Sequence, residues 1–261
     1  DNIAIGENAL NSTAGAALAN IGIGTSALTA VTSGEKNIAI GYQALLVEAA
    51  GDFSTAVGYQ ALKAQTGIDG AVGNTAIGYQ AGLSLIGGLE NTILGRSAMN
   101  SSTDADKCVV IGSTACQSNM TAAADGTIAI GYYALSALTT GVANTAIGYQ
   151  ASVAIVEGSY NTVLGYQAFD AGQEDSKCTA IGAYALSSAD VGDTGSSQDT
   201  FNTAVGYQCG DGITTGQQNT GIGAACAFDV DANNQTCVGY QATTDSANDI
   251  AIGNTSVDEV K

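Results

Sequence analysis

The chain is organised around short bursts in which large apolar and small polar positions alternate, each ending on a glycine. "NTAIGYQA" occupies residues 74–81 and returns at 144–151. Near-copies read "NIAIGYQA" at 37–44, "STAVGYQA" at 54–61 and "NTVLGYQA" at 161–168. Aligned on the glycine, the phrase recurs fifteen times, at Gly6, Gly24, Gly41, Gly58, Gly78, Gly95, Gly112, Gly131, Gly148, Gly165, Gly182, Gly206, Gly223, Gly239 and Gly253. The modal step is 17 residues. One residue before this anchor every copy is aliphatic. Three before, every copy is β-branched, with nine Thr and six Ile or Val. Two before, Ala dominates. Four before, nine copies carry Asn.

Period-two alternation rich in β-branched residues predicts a strand in each copy. The invariant aliphatic column predicts that positions one and three before the anchor face inward. The Ala and Asn columns then share an outward face, which is small and uncharged and so calls for a packing partner of its own. The anchor Gly is the turn residue, since it reaches positive φ at little cost. A second Gly stands seven before the anchor in six copies (Gly34, Gly51, Gly88, Gly141, Gly158, Gly216) and predicts a second turn. A second, less regular strand is expected near the Ala after "YQ", as in "ALSALTTG" at 134–141. One coil cannot bury its own apolar face, but stacked coils can. The expectation is therefore an all-β solenoid, a β-roll or β-helix of about fifteen coils, forming one repeat domain over 1–261. At about 4.8 Å per step it would be a rod roughly 65–70 Å long. The Asn column is expected to form an amide ladder. The complete lack of proline fits a ladder in which every N–H is used.

Composition narrows the function. A formal net charge of −18 argues against direct nucleic-acid binding and against docking on anionic lipid. No apolar run is long enough for a membrane-spanning helix. The first residue is Asp1, in mid-phrase and without a Met, so the sequence reads as a segment of a longer polypeptide. Of the 24 acidic residues, only Glu7 and Asp249 fall between the Asn column and the Ala column three after the anchor. The acids and the insertions gather in the connectors, the longest being "SSADVGDTGSSQDT" at 187–200. One edge is therefore acidic and variable, and the "NTAIG" edge is constant.

Candidate chemistry is sparse. With no His there is no imidazole base, and no catalytic constellation stands out, so the chain is not expected to be an enzyme. Asp104/Asp106, Glu174/Asp175 and Asp229/Asp231 read as solvated connector acids, and a β-helical polysaccharide-degrading enzyme is the distant alternative. Cys108, Cys116, Cys178, Cys209, Cys226 and Cys237 lack metal-ligand spacing and read as small buried thiols, and no metal or cofactor is expected. Tyr follows the anchor in eight copies: Tyr42, Tyr59, Tyr79, Tyr132, Tyr149, Tyr166, Tyr207 and Tyr240. This column is the candidate contact surface, either a sugar-binding stripe or simply a cover for the coil corner. An ice-binding face needs outward Thr. With Thr on the aliphatic face it is expected to point inward, which argues against that function.

A repeated Ala/Asn surface suits symmetric self-assembly, although composition does not separate two-fold from three-fold. "NTAIGYQA" and "NTVLGYQA" resemble repeats of bacteriophage tail fibre proteins. The "AIGxxA" core is also similar to the heads of trimeric autotransporter adhesins. The resemblance covers residues 2–257 and implies a parallel solenoid wound into a homotrimer. "AIGNTSVDEVK" at 251–261 looks like the segment preceding a self-cleaving, endosialidase-type chaperone domain, and no adhesin neck or heptad stretch is visible. The resemblance thus implies a virion tail fibre shaft contacting a host cell-surface glycan or protein, with a bacterial surface adhesin head as the alternative. Cys209 and Cys226 share one column. A disulfide between them is conceivable, and phage assembly in a reducing cytoplasm favours free thiols.

Overall fold

The computed structural model describes residues 1–12, 17–67, 70–189 and 198–256. Most of the long connector at 187–200 and the last five residues of the "AIGNTSVDEVK" segment lie outside the described residues. The protein is all-β, with a parallel β-solenoid of about fourteen turns. Among the described residues the one helical element is a short 3₁₀ turn, Ala122–Ala124.

Contacts divide the chain into two compact units, 1–130 and 131–261. In the first unit, eight three-residue rungs stack in parallel: Ile3–Ile5, Ile21–Ile23, Ile38–Ile40, Thr55–Val57, Thr75–Ile77, Thr92–Leu94, Val109–Ile111 and Ile128–Ile130. The second holds seven: Thr145–Ile147, Thr162–Leu164, Thr179–Ile181, Thr203–Val205, Thr220–Ile222, Thr236–Val238 and Ile250–Ile252. Register is column on column, for example Thr55 on Thr75 and Thr145 on Thr162. These fifteen rungs are the fifteen anchored copies.

The faces are the reverse of the sequence expectation. In the rungs Thr75–Ile77 and Thr145–Ile147 the central Ala is buried while the flanking Thr and Ile are half-buried or exposed. The Ala and Asn columns line the interior, and the Thr and aliphatic columns face out. The reason is the width of the coil. The wall opposite the rung carries large apolar side chains four and seven residues after the anchor, such as Leu45, Leu62, Leu135, Leu138 and Ile155, all fully buried. They fill the narrow interior and leave room for little more than a methyl group on the rung. Where a rung does carry a large inward residue, the opposite wall gives way. Ile93 faces Gly82, whose added Cβ would lie 3.0 Å from Ile93 Cδ1.

Among the described residues the predicted second strand is also absent as a regular element of the coil. The segment after the anchor, including 134–138, is a run of turns. Among the described residues, strand pairing outside the rungs is limited to Gly51–Asp52 with Gly70–Ala71 and Asp175–Ser176 with Gln198–Asp199, beside the two longest steps, and to an isolated parallel bridge between Ala227 and Thr243. The turns rest on left-handed non-glycine residues. In coil after coil these recur five before, two after and four after the anchor, as at Lys36, Gln43 and Leu45 with φ of 59°, 55° and 49°. Such backbone costs about 1–2 kcal/mol per residue. It persists where the N–H is held by a neighbouring coil: Lys36 donates to Leu18 at 3.0 Å, Gln43 to Thr25 at 3.0 Å, and Leu45 to Ala61 at 3.1 Å.

The Asn column is a ladder, but not of amide on amide. Asn20 Oδ1 accepts the Asn37 N–H at 2.9 Å, and Asn20 Nδ2 donates to the Gly34 carbonyl at 2.8 Å. The pattern repeats at Asn37, Asn74, Asn91, Asn144, Asn161, Asn202 and Asn219. A buried amide thus satisfies the backbone at the corner where the coil closes. The glycines seven before the anchor serve close approach rather than positive φ. A Cβ on Gly141 would lie 2.0 Å from the Gly158 carbonyl oxygen.

Candidate functional site

The outward side of each rung is a regular strip. Thr stands at its start and an aliphatic residue at its end, and after the anchor Gly comes Tyr. The aliphatic column is unusually open for large side chains: Ile77 is 41% exposed, Leu94 44% and Ile222 49%. Tyr42, Tyr59, Tyr79, Tyr132, Tyr149, Tyr166, Tyr207 and Tyr240 are all exposed. The column predicted as a contact surface therefore lies at the surface, at the corner beside the rung.

Stacking governs what these rings can do. In the first unit Tyr42, Tyr59 and Tyr79 lie face to face, each centroid 5.2 Å from the next. In the second, Tyr132, Tyr149 and Tyr166 do the same at 5.3 and 5.2 Å. Tyr184, from the column after the Tyr column, closes this stack edge-on against Tyr166 at 5.4 Å. Ring faces inside the ladders are covered by neighbouring rings, leaving edges and hydroxyls outward. A sugar ring needs an open aromatic face to stack on, so the ladders are poor saccharide platforms. The Gln beside Tyr forms the amide ladder that was expected of Asn: Gln60 Nε2 donates to Gln43 Oε1 at 2.9 Å, and Gln80 Nε2 to Gln60 Oε1 at 3.0 Å. A third bond joins Gln167 to Gln150 at 3.0 Å.

The anchor glycines carry more than a turn. Their φ values, from 118° to 153° between Gly24 and Gly239, are open to glycine alone, and within each unit they stack directly on one another. A Cβ on Gly148 would lie 2.1 Å from the Gly165 carbonyl oxygen.

A further column, five before the anchor, was missed by the sequence reading. It is exposed and gathers Lys36, Lys107 and Lys177, half of the six basic residues, together with Phe53, Tyr160 and Phe201. Lys36 lies 5.0 Å over the Phe53 ring and Lys177 5.1 Å over Phe201. Nothing in the alternation marks this column, because it precedes the strand. Its signal is the scarcity of cations elsewhere.

The acidic pairs do not converge on a site. Asp106 Oδ1 accepts the Leu89 N–H at 2.7 Å, and Asp229 Oδ1 accepts the Asp231 N–H at 3.4 Å, so both act on connector backbone. Asp175 is buried. Among the described residues no group of three His, Cys, Asp or Glu could hold a metal ion, and no helix is long and apolar enough to cross a membrane. A shallow apolar hollow of about 430 Å³ lies between Val47, Lys63, Leu83 and Ile86 on the connector side of the first unit.

All six cysteines are free and buried, as expected of core thiols. Burial pushes Cys108 up to about 11, Cys178 and Cys209 up to about 12, and Cys116 well above the ordinary value. Because the folded state favours the neutral thiol, this contribution is complete below the ordinary value near 9 and fades as pH rises toward 11–12. At pH 8 the native thiols should react with a maleimide at least about 100-fold more slowly than after denaturation. Equal rates, followed by mass spectrometry, would show that these columns are not core.

No protein-family model matches the chain, and no curated protein matches it either.

Proposed function

We propose that the chain is a structural and adhesive fibre segment, the shaft of a bacteriophage tail fibre, assembled as a homotrimer through the Thr–aliphatic strip. The observation that carries this reading is the aliphatic column left half-exposed along both units. A soluble protein rarely leaves so regular an apolar strip uncovered. Each half-exposed Ile or Leu that assembly buries contributes about 1 kcal/mol. The Ala/Asn face from which the sequence argued for self-assembly is interior, so the assembly surface moves to the opposite face of the same rung. The phage assignment rests on the "NTAIGYQA" resemblance and places the protein in the virion. An adhesin head on a bacterial surface is the alternative. In either setting the shaft supplies rigidity and three copies of each contact, and the acidic connectors face the host glycan or protein.

Sedimentation velocity tests this. The wild-type chain should sediment as a trimer, and the Ile77→Lys/Leu94→Lys variant should be monomeric with its β circular dichroism intact. A wild-type monomer at micromolar concentration contradicts the reading.

One observation favours a second function. Thr55, Thr75 and Thr92 in one unit, and Thr145, Thr162, Thr179, Thr203, Thr220 and Thr236 in the other, stand on the outward face in register. The inward placement that argued against ice binding is overturned. Thermal hysteresis with ice shaping would replace the fibre reading; its absence leaves assembly as the role of the strip.

A further inference from the structure

The outward strip has two unlike ends. At the start of each rung is the column five before the anchor, and at its end is the column one after. Along the extended chain these ends are up to about 20 Å apart. In the rung Thr92–Leu94 they carry opposite charges: Glu90 at the start and Arg96 at the end, both exposed. Among the described residues the ion pairs are Lys36–Glu35 and Lys177–Asp199, so neither Glu90 nor Arg96 is ion-paired to a described residue of its own chain. Arg96 is the chain's one arginine. Other rungs pair aromatic with cation or aromatic: Lys36 with Tyr42, Phe53 with Tyr59, and Tyr160 with Tyr166 share rungs in the same way.

Resting on the trimer reading above, we infer that the partner of this strip is a second copy of the chain, parallel and in register, whose rung starts meet the neighbour's rung ends, with Arg96 of one copy paired to Glu90 of the next. Three features support that occupant. Copies arranged around an axis along the stacking direction must place the end of one rung against the start of the next. A partner in contact with every rung must repeat with the same irregular steps, and a second copy does so by construction. At five rungs the end columns are chemically complementary: Glu90 with Arg96, Lys36 with Tyr42, Phe53 with Tyr59, Tyr160 with Tyr166 and Phe201 with Tyr207. Register follows from the same pair. A slip of one coil sets Arg96 against Lys107, a like charge, or against Gly73, which has no side chain.

The experiment combines Glu90→Cys and Arg96→Cys in one chain and treats the native protein with a short bismaleimide. The buried natural thiols serve as the internal control. The double variant should run as a covalent trimer on a denaturing gel, and each single variant should stay monomeric. In parallel, Glu90→Arg should weaken assembly at least about tenfold, and adding Arg96→Glu should restore it. Trimers by sedimentation that do not link through 90 and 96 would overturn this inference and leave the trimer reading standing. Linked dimers from either single variant would show antiparallel copies and also overturn it. A monomeric wild-type chain would sink both.

Discussion

Gly148→Ala should cost about 4 kcal/mol or more of folding stability, enough to unfold a marginal protein near body temperature. Two penalties add at this position. With φ at 146°, an L side chain is strained whatever space surrounds it. The new Cβ would also lie 2.1 Å from the Gly165 carbonyl oxygen and 2.6 Å from its carbon, and neither backbone atom can rotate away. Relief would require spreading two coils whose backbones are hydrogen-bonded together, for example Gln167 N–H to the Tyr149 carbonyl at 2.9 Å. Gly212→Ala is the control: a Cβ there meets nothing within 4 Å, and its effect should stay within about 0.5 kcal/mol. Urea unfolding followed by circular dichroism measures both. Equal effects would show that the glycine column does not stack.

Glu48→Leu should cost about 3 kcal/mol or more, although it looks conservative for the fold. The position lies in the column seven after the anchor, where Val31 and Leu85 stand in nearby coils, so leucine suits its volume. What leucine cannot do is accept hydrogen bonds. Glu48 is fully buried, and its oxygens accept from the Ala50, Gly51 and Gly67 N–H groups at 3.2, 2.7 and 3.0 Å and from Gln65 Nε2 at 2.7 Å. Gln65 in turn donates to Ser54 at 2.9 Å and accepts from Asn74 at 3.0 Å. Removing the carboxylate strands one buried backbone donor, on Gly51, and two half-buried ones, on Ala50 and Gly67, the buried one costing about 1–3 kcal/mol. The same caging explains two glycines, because a Cβ on Gly51 or Gly67 would meet Val72 at 2.5 or 2.6 Å. If Glu48→Leu melts with or above wild type, the network contributes nothing net.

The repeat, its rungs and their parallel register were legible because strand signals recur at a fixed spacing and insertions fall between them. The inside of the coil was not. Alternation says that Ile77 and Ala76 point opposite ways, but not which way is in. The usual rule, large apolar side inward, failed because a coil this thin takes its bulk from one wall. Leu62 and Leu135 were visible in the sequence as a column four after the anchor, and counting them as core would have forced the rung's Ile outward. Positive φ at Gln43 and Leu45 had no sequence signal. Neither residue favours that conformation, and only the bonds from adjacent coils impose it. The contact strip was therefore half legible. Its Tyr column was found, its Thr and Ile columns were placed inside, and the Lys36–Phe53 edge was missed.

The orientation of the rung is the central claim, and neighbouring positions test it. At concentrations where copies are dissociated, urea unfolding should find Ala146→Leu destabilised by about 2–3 kcal/mol, because the interior at this buried position is already full. Ile147→Lys, on the outward face, should cost less than about 1 kcal/mol. The reverse ranking, with Ala146→Leu tolerated and Ile147→Lys unfolded, would put the aliphatic column back inside and contradict the account.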